Sequence, residues 1–106
     1  MASTFNNQTA DLTSTSANIF TGPTANAGDR AIVIGCNISN THASDDATIT
    51  LYKDAHEILT NVKVPANTSL ELCRGNKYVL GQNENLKAKV TTGNAKTFVS
   101  ALVITV

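Results

Sequence analysis

The run "RAIVIGCNIS", residues 30–39, alternates its side chains with a period of two, and this spacing constrains the fold of the chain more than any other feature. On an extended strand Ile32, Ile34, Cys36 and Ile38 fall on one face, while Ala31, Val33, Gly35 and Asn37 fall on the other. The second face is small and partly apolar, which predicts a central strand with both faces at least partly covered. In "DATITLYK" the residues Ala47, Ile49 and Leu51 alternate with Thr48, Thr50 and Tyr52, the pattern of a half-buried strand with a polar outer face. The turn "KDAH" then leads into "EILTNVKV", so this pair reads as a hairpin.

Further along, Pro65 cannot donate to a ladder, so "VPANTS" is a corner after a strand ending near Val64, and "LEL" resumes with Leu70 and Leu72 on one side. "CRGNKYVL" turns at Gly75 and Asn76 into a brief strand ending at Leu80. After the turn "GQNEN", Leu86, Ala88 and Val90 alternate with Lys87 and Lys89. "TTGNAK" reads as one more hairpin turn, into "TFVSALVITV", the longest and most apolar strand. Before residue 30, "ANIFTGP" gives a short strand stopped by Gly22 and Pro23. Thr, Asn, Ala, Val and Ser dominate and Trp is absent, which favours strands joined by polar turns over helices. The expectation is an all-β chain: a single antiparallel β-sandwich, jelly-roll-like, of about eight or nine short strands.

At 106 residues the chain is one domain, able to bury about two-thirds of the surface its unfolded form exposes, so neither a disulfide framework nor a structural metal is needed. The division expected is an N-terminal edge strand or extended arm over residues 1–16 and a β-sandwich domain over 17–106. Residues 1–16 carry only Phe5 and Leu12 as large apolar groups, too few to fold alone, and such a segment gains order by adding to an edge or groove. Phe5, Leu12 and the outward-phase Tyr52 are the candidate partner-contact residues.

Eight basic residues balance eight acidic ones, which removes the basic footprint of a nucleic-acid binder. Zero formal net charge also leaves little self-repulsion, a property suited to an assembly component. No apolar run approaches the length of a membrane span, and "MASTFNNQTADLTSTSANIF" has neither the basic start nor the apolar core of a secretory signal, so residence in a cytoplasm is the expectation. Cys36, in phase with three isoleucines, reads as a buried reduced thiol rather than a nucleophile or half of a disulfide.

Asp54, His56 and Glu57 in "KDAHE", and His42, Asp45 and Asp46 in "THASDD", sit in polar turns without zinc or EF-hand spacing. Asp45, Asp46, Glu57, Glu71 and Glu84 lie on turns or on polar strand phases, where nothing tunes a carboxyl for acid–base work. The glycosylation patterns at Asn7, Asn37 and Asn67 follow from composition, and Lys63, Lys77, Lys87 and Lys89 read as solvated edge protection. The chain is therefore expected to be no enzyme and to hold no cofactor or metal.

The order "IFTGPTANAGDRAIVIGCNISNT", "DATITLYK", "VKVPANTSLEL", "YVLGQNENLKAKV" and "VSALVIT" resembles a group of small β-sandwich virion proteins of tailed bacteriophages, including phages of cyanobacteria. The resemblance covers about residues 17–106. It departs at "GQNEN", where the group leads one to expect Gly-Asp, so no acidic function carries over. It implies a structural component of the virion, made in the host bacterial cytoplasm: a capsid cement or decoration protein, or alternatively a small tail or neck subunit. The implied partners are further copies of the chain, as a trimer, and the major capsid protein or other virion proteins. It implies no catalytic residue, no nucleic acid and no membrane. The alternative from another class is a carbohydrate-binding β-sandwich module, for which exposed aromatics would form the platform.

Overall fold

A computed structural model of the chain describes residues 2–73, 77–91 and 95–105. The turn expected at Gly75 and Asn76, the centre of "TTGNAK" and the last residue of the closing strand lie outside the described residues. Nine strands follow in order: β1 (Ala2–Asp11), β2 (Ala17–Thr21), β3 (Arg30–Asn40), β4 (Ala47–Lys53), β5 (His56–Val64), β6 (Ser69–Glu71), β7 (Tyr78–Leu80), β8 (Asn85–Val90) and β9 (Ala95–Thr105). They form two antiparallel sheets. One has the order β1-β9-β3-β6 with β7 also on β3, and the other has the order β2-β8-β4-β5. The all-β sandwich read from the sequence is the fold observed.

Alternation places the core. Leu86, Ala88 and Val90 of β8, Ala47, Ile49 and Leu51 of β4, and Val99 and Ala101 of β9 all turn inward and are buried. At the corner where β3, β5 and the loop between β3 and β4 meet, Asn40 is buried and pins all three. Its Nδ2 donates to the carbonyls of Asp45 (2.8 Å) and Val64 (3.0 Å), and its Oδ1 accepts from the His42 amide at 2.9 Å. A buried amide so fully partnered adds specificity without an orphaned group.

One connection differs from the sequence reading. β8 pairs with β2 and β4 whereas β9 pairs with β1 and β3, so the segment between β8 and β9 carries the chain from one sheet to the other and is no hairpin. β6 and β7 do not pair with each other. Both lie along β3, β6 against residues 37–39 and β7 against 31–33, as one edge strand with a gap in it. The hairpin of β4 and β5 is as read, with Asp54 in the left-handed region at φ 53°. Thr50, assigned by alternation to the polar outer face, is buried. Register shifts on either side of Leu51 break the strict period there, and the Thr50 hydroxyl accepts from the Asn61 amide at 3.4 Å.

β3 departs most from its pattern. Val33 pairs with Ala101 but Gly35 pairs with Ser100, so Ile34 is an extra residue and β3 carries a bulge. Ahead of the bulge Ala31 and Val33 face the core, and beyond it Cys36, Ile38 and Asn40 do. Ile32 and Ile34 therefore point outward, and Cys36 shares its face with Ile38 but not with those two. A strict alternation assigned all four to one side, and the inserted residue divides them.

β1 pairs with β9 without a register shift from Ala2 opposite Thr105 to Asp11 opposite Lys96, so the first strand belongs to the edge of the larger sheet. Thr4 and Asn6 stand on its inward phase yet are exposed at the margin of the sandwich, while their partners on β9, Val103 and Ala101, pack on or in the core.

Among the described glycines the tightest approach is at Gly22, where a Cβ would clash with the carbonyl oxygen of Glu84. Hydrogen bonds from the Gly22 amide to Asn85 Oδ1 and from the Asn83 amide to the Pro23 carbonyl hold the two segments together. Gly22→Ala is expected to destabilise the fold by about 1–3 kcal/mol, read as a lowered urea midpoint at unchanged slope; an unchanged midpoint would show that the segments separate freely.

Candidate interaction surface

Cross-strand partners share a face of a sheet, so the pairing defines what the larger sheet shows to solvent. Phe5 lies opposite Leu102, Leu102 opposite Ile32, and Ile32 opposite Val79. These four side chains form one apolar row across β1, β9, β3 and β7, on the side away from the core. Phe5 is 74% exposed, Val79 and the bulged Ile34 are each 45% exposed, and Phe98, four residues before Leu102 on β9, is 46% exposed. Phe98 stands about 13 Å from the row at the strand rise per residue. Isolated exposed apolar residues need no explanation, but a row continuous over four strands does.

The same face becomes polar toward the other end. Thr9, Asp11, Asn37, Ser39, Lys96 and Phe98 line a concavity of about 350 Å³. Lys96 Nζ and Asp11 Oδ1 pair across its rim at 3.2 Å. The Ser39 and Ser69 hydroxyls share a hydrogen bond of 2.8 Å nearby.

Glu71 holds the bulge that turns Ile34 outward. Its Oε1 accepts from the Cys36 amide at 3.0 Å and from the Cys73 amide at 2.9 Å, while the Leu72 amide donates to the Cys36 carbonyl at 2.7 Å. One carboxylate thus serves the donor displaced by the bulge in β3 and a donor left by the gap between β6 and β7. Gly35 is not required by space, since a Cβ there would meet nothing closer than Glu71 Oε2 at 3.9 Å.

Cys36 and Cys73 are both buried and free, beside that carboxylate. Burial, then the neighbouring Cys73 and Glu71, push the Cys36 thiol up to about 12. Burial, with Glu71 adding to it, pushes the Cys73 thiol up to about 11. Burial raises the Tyr78 hydroxyl in the same neighbourhood. All three stay protonated at neutral pH, and a protonated thiol is a poor nucleophile. The cluster therefore packs and orders the edge.

The three residues nominated from the sequence do not converge. Phe5 stands in the exposed row. Leu12 is 8% exposed and packed in the chain's own core, with its amide donating to the Ala95 carbonyl, so it does not face a partner. Tyr52 pairs with Lys87 on the outer face of the smaller sheet, the opposite side of the sandwich. Sequence reasoning missed Ile32, Ile34, Val79, Phe98 and Leu102. The signal was present in "AIVIGC", where a glycine inside an unbroken apolar run marks a bulge and an apolar outer face together.

The turn residues weighed as metal ligands are engaged by backbone amides, His42 within its own loop and Asp54 across to the start of β8. His42 Nδ1 accepts from the Ser44 and Asp45 amides, and Asp54 Oδ1 accepts from the Asn85 amide. Among the described residues no three His, Cys, Asp or Glu side chains are grouped to hold a metal ion.

No family model matches the chain, and no curated protein matches it. Among solved structures it is similar to a chain of the Bacillus endospore appendages described as a novel family of disulfide-linked pili, at 11% identity and a TM-score of 0.49, over 95% of this chain and 85% of that one.

Glu71→Ala is expected to lower stability by about 1–2 kcal/mol, because two part-buried amides lose their acceptor, and Glu71→Gln by less, because it keeps an oxygen there. Thiol labelling at pH 8 should be slow in the native protein and faster in Glu71→Ala. Equal stability and equal labelling in both would show that the carboxylate does not hold this edge.

Proposed function

We propose that the protein is a non-enzymatic structural subunit that works by binding protein along the outer face of its larger sheet. The observation that carries this reading is the row Phe5, Leu102, Ile32 and Val79, kept in water by strand register. With zero net charge, such a face lowers solubility unless a partner covers it. The order of sequence features supports the setting: a bacteriophage virion, as a capsid cement or decoration protein first and a small tail or neck subunit second. The partners are then the major capsid protein or other virion proteins, met after synthesis in the host cytoplasm. Association with further copies, as the trimer suggested by the resemblance or in another symmetry, belongs to the same reading.

The concavity beside Phe98 favours a second reading, a carbohydrate-binding module. An exposed aromatic next to the Asn37 amide and the Thr9 and Ser39 hydroxyls offers a ring face and hydrogen-bonding groups together.

Co-sedimentation with DNA-free shells assembled from the major capsid protein of the phage that carries the chain separates the two, run beside a glycan array. The structural reading expects the protein to travel with shells, and the double variant Ile34→Lys, Phe98→Lys to lose at least about tenfold in shell affinity, since both replacements put charge on the face. Glycan binding that Phe98→Ala abolishes, with no shell binding, would replace the structural reading by the second one.

A further inference from the structure

We infer that β1 is a pairing edge for a second copy of this chain, two copies joining β1 to β1 antiparallel about a two-fold axis at Phe5. This rests on the structural reading above and names its partner. β1 is the outermost strand of its sheet, so one side of its backbone has none of the described strands on it. Edges left open are ordinarily blunted by lysine, proline, bulges or short length. β1 has none of these: "ASTFNNQTAD" runs ten residues with no Pro, Gly, Lys or Arg, its only charge is the terminal Asp11, and its register against β9 is unbroken.

The other described edges are all blunted. β6 and β7 have three residues each, and β2 has five with a register shift. β5 carries Lys63, two register shifts and Asn61 in the left-handed region at φ 52°. Among the described strands the best match for β1 is therefore another β1, which gives a closed two-fold rather than a growing fibre.

The register follows from two constraints. Joining the sheets with their outer faces on the same side requires residues of the same phase to meet, so the axis passes beside a residue that meets its own copy, pairing odd with odd and even with even. Toward the far end of the strand, Gln8 Oε1 is engaged by the Thr21 amide of β2 at 2.9 Å, which leaves the first half of β1, exposed from Ser3 to Asn7, as the open part. An axis at Phe5 uses that half: Phe5 meets Phe5, Ser3 meets Asn7, and Thr4 meets Asn6. The apolar row then continues unbroken from one copy into the next. A ladder of this length is a small interface, below about 1,200 Å², so the dimer should depend on concentration.

Cysteine cross-linking with oxidised glutathione tests the register; each bond formed releases two glutathione thiols. Cys36 and Cys73 are buried, and the unsubstituted protein serves as the control. Phe5→Cys should form a disulfide-linked dimer, Asn7→Cys alone should not, and a mixture of Ser3→Cys with Asn7→Cys should. Sedimentation should show a monomer–dimer equilibrium that Phe5→Lys weakens about tenfold or more, by placing like charges opposite each other, with an unchanged melting temperature because Phe5 is exposed. Asn7→Cys cross-linking as readily as Phe5→Cys, or a strict monomer at high concentration, would overturn the inference. Shell binding that persists in Phe5→Lys would leave the structural reading standing without the two-fold, and a cross-linked dimer that binds no shell would do the reverse.

Discussion

The Glu71 carboxylate, bridging the amides of Cys36 and Cys73, is the interaction on which the larger sheet depends. β3 contains one residue too many for its neighbour β9, and the edge opposite the bulge is not a continuous strand. Either irregularity alone leaves backbone donors without ladder partners, and such donors are costly away from water. Placed side by side, the two are served by one acceptor. The bulge and the gap are thus a single feature of the sheet, closed by a side chain from the strand just before the gap.

The exposed surface follows from that feature. Ahead of Ile34 the inward positions of β3 are odd-numbered, and beyond it they are even-numbered, so Ile32 and Ile34 turn to solvent beside Leu102 and Val79. The core loses nothing, because Ala31, Val33, Cys36 and Ile38 fill it from the other side. Phe5 extends the row to an open edge that lacks the usual protections. Local backbone irregularity, outward apolar face and unprotected edge together make a surface suited to assembly, and the proposed structural role needs no reactive group.

Much of the fold was legible in the sequence. β8 and the inner face of β9 follow simple alternation, as β4 does except at Thr50, Pro65 ends β5, and the "KDAH" hairpin forms where the turn residues put it. What was not legible depended on non-local pairing. "LEL" and "YVL" read as two short strands with no partner specified, and only the course of β3 shows that both lie along one neighbour. Leu12 looked like a spare apolar group in a polar segment, but β1 carries it back over the core. The outward isoleucines were hidden because period-two reading has no place for an extra residue, and Gly35 was counted as a small side chain when it marked a break in phase.

The phase of β3 is tested most directly by comparing Ile34→Ala with Ile38→Ala in urea unfolding. With the bulge in place, Ile38 is wholly buried and its truncation should cost about 2–5 kcal/mol, while Ile34 is half in water and should cost less than about 1 kcal/mol. Equal losses at the two positions would mean that both isoleucines face the core, that β3 has no bulge, and that the apolar outer face does not exist.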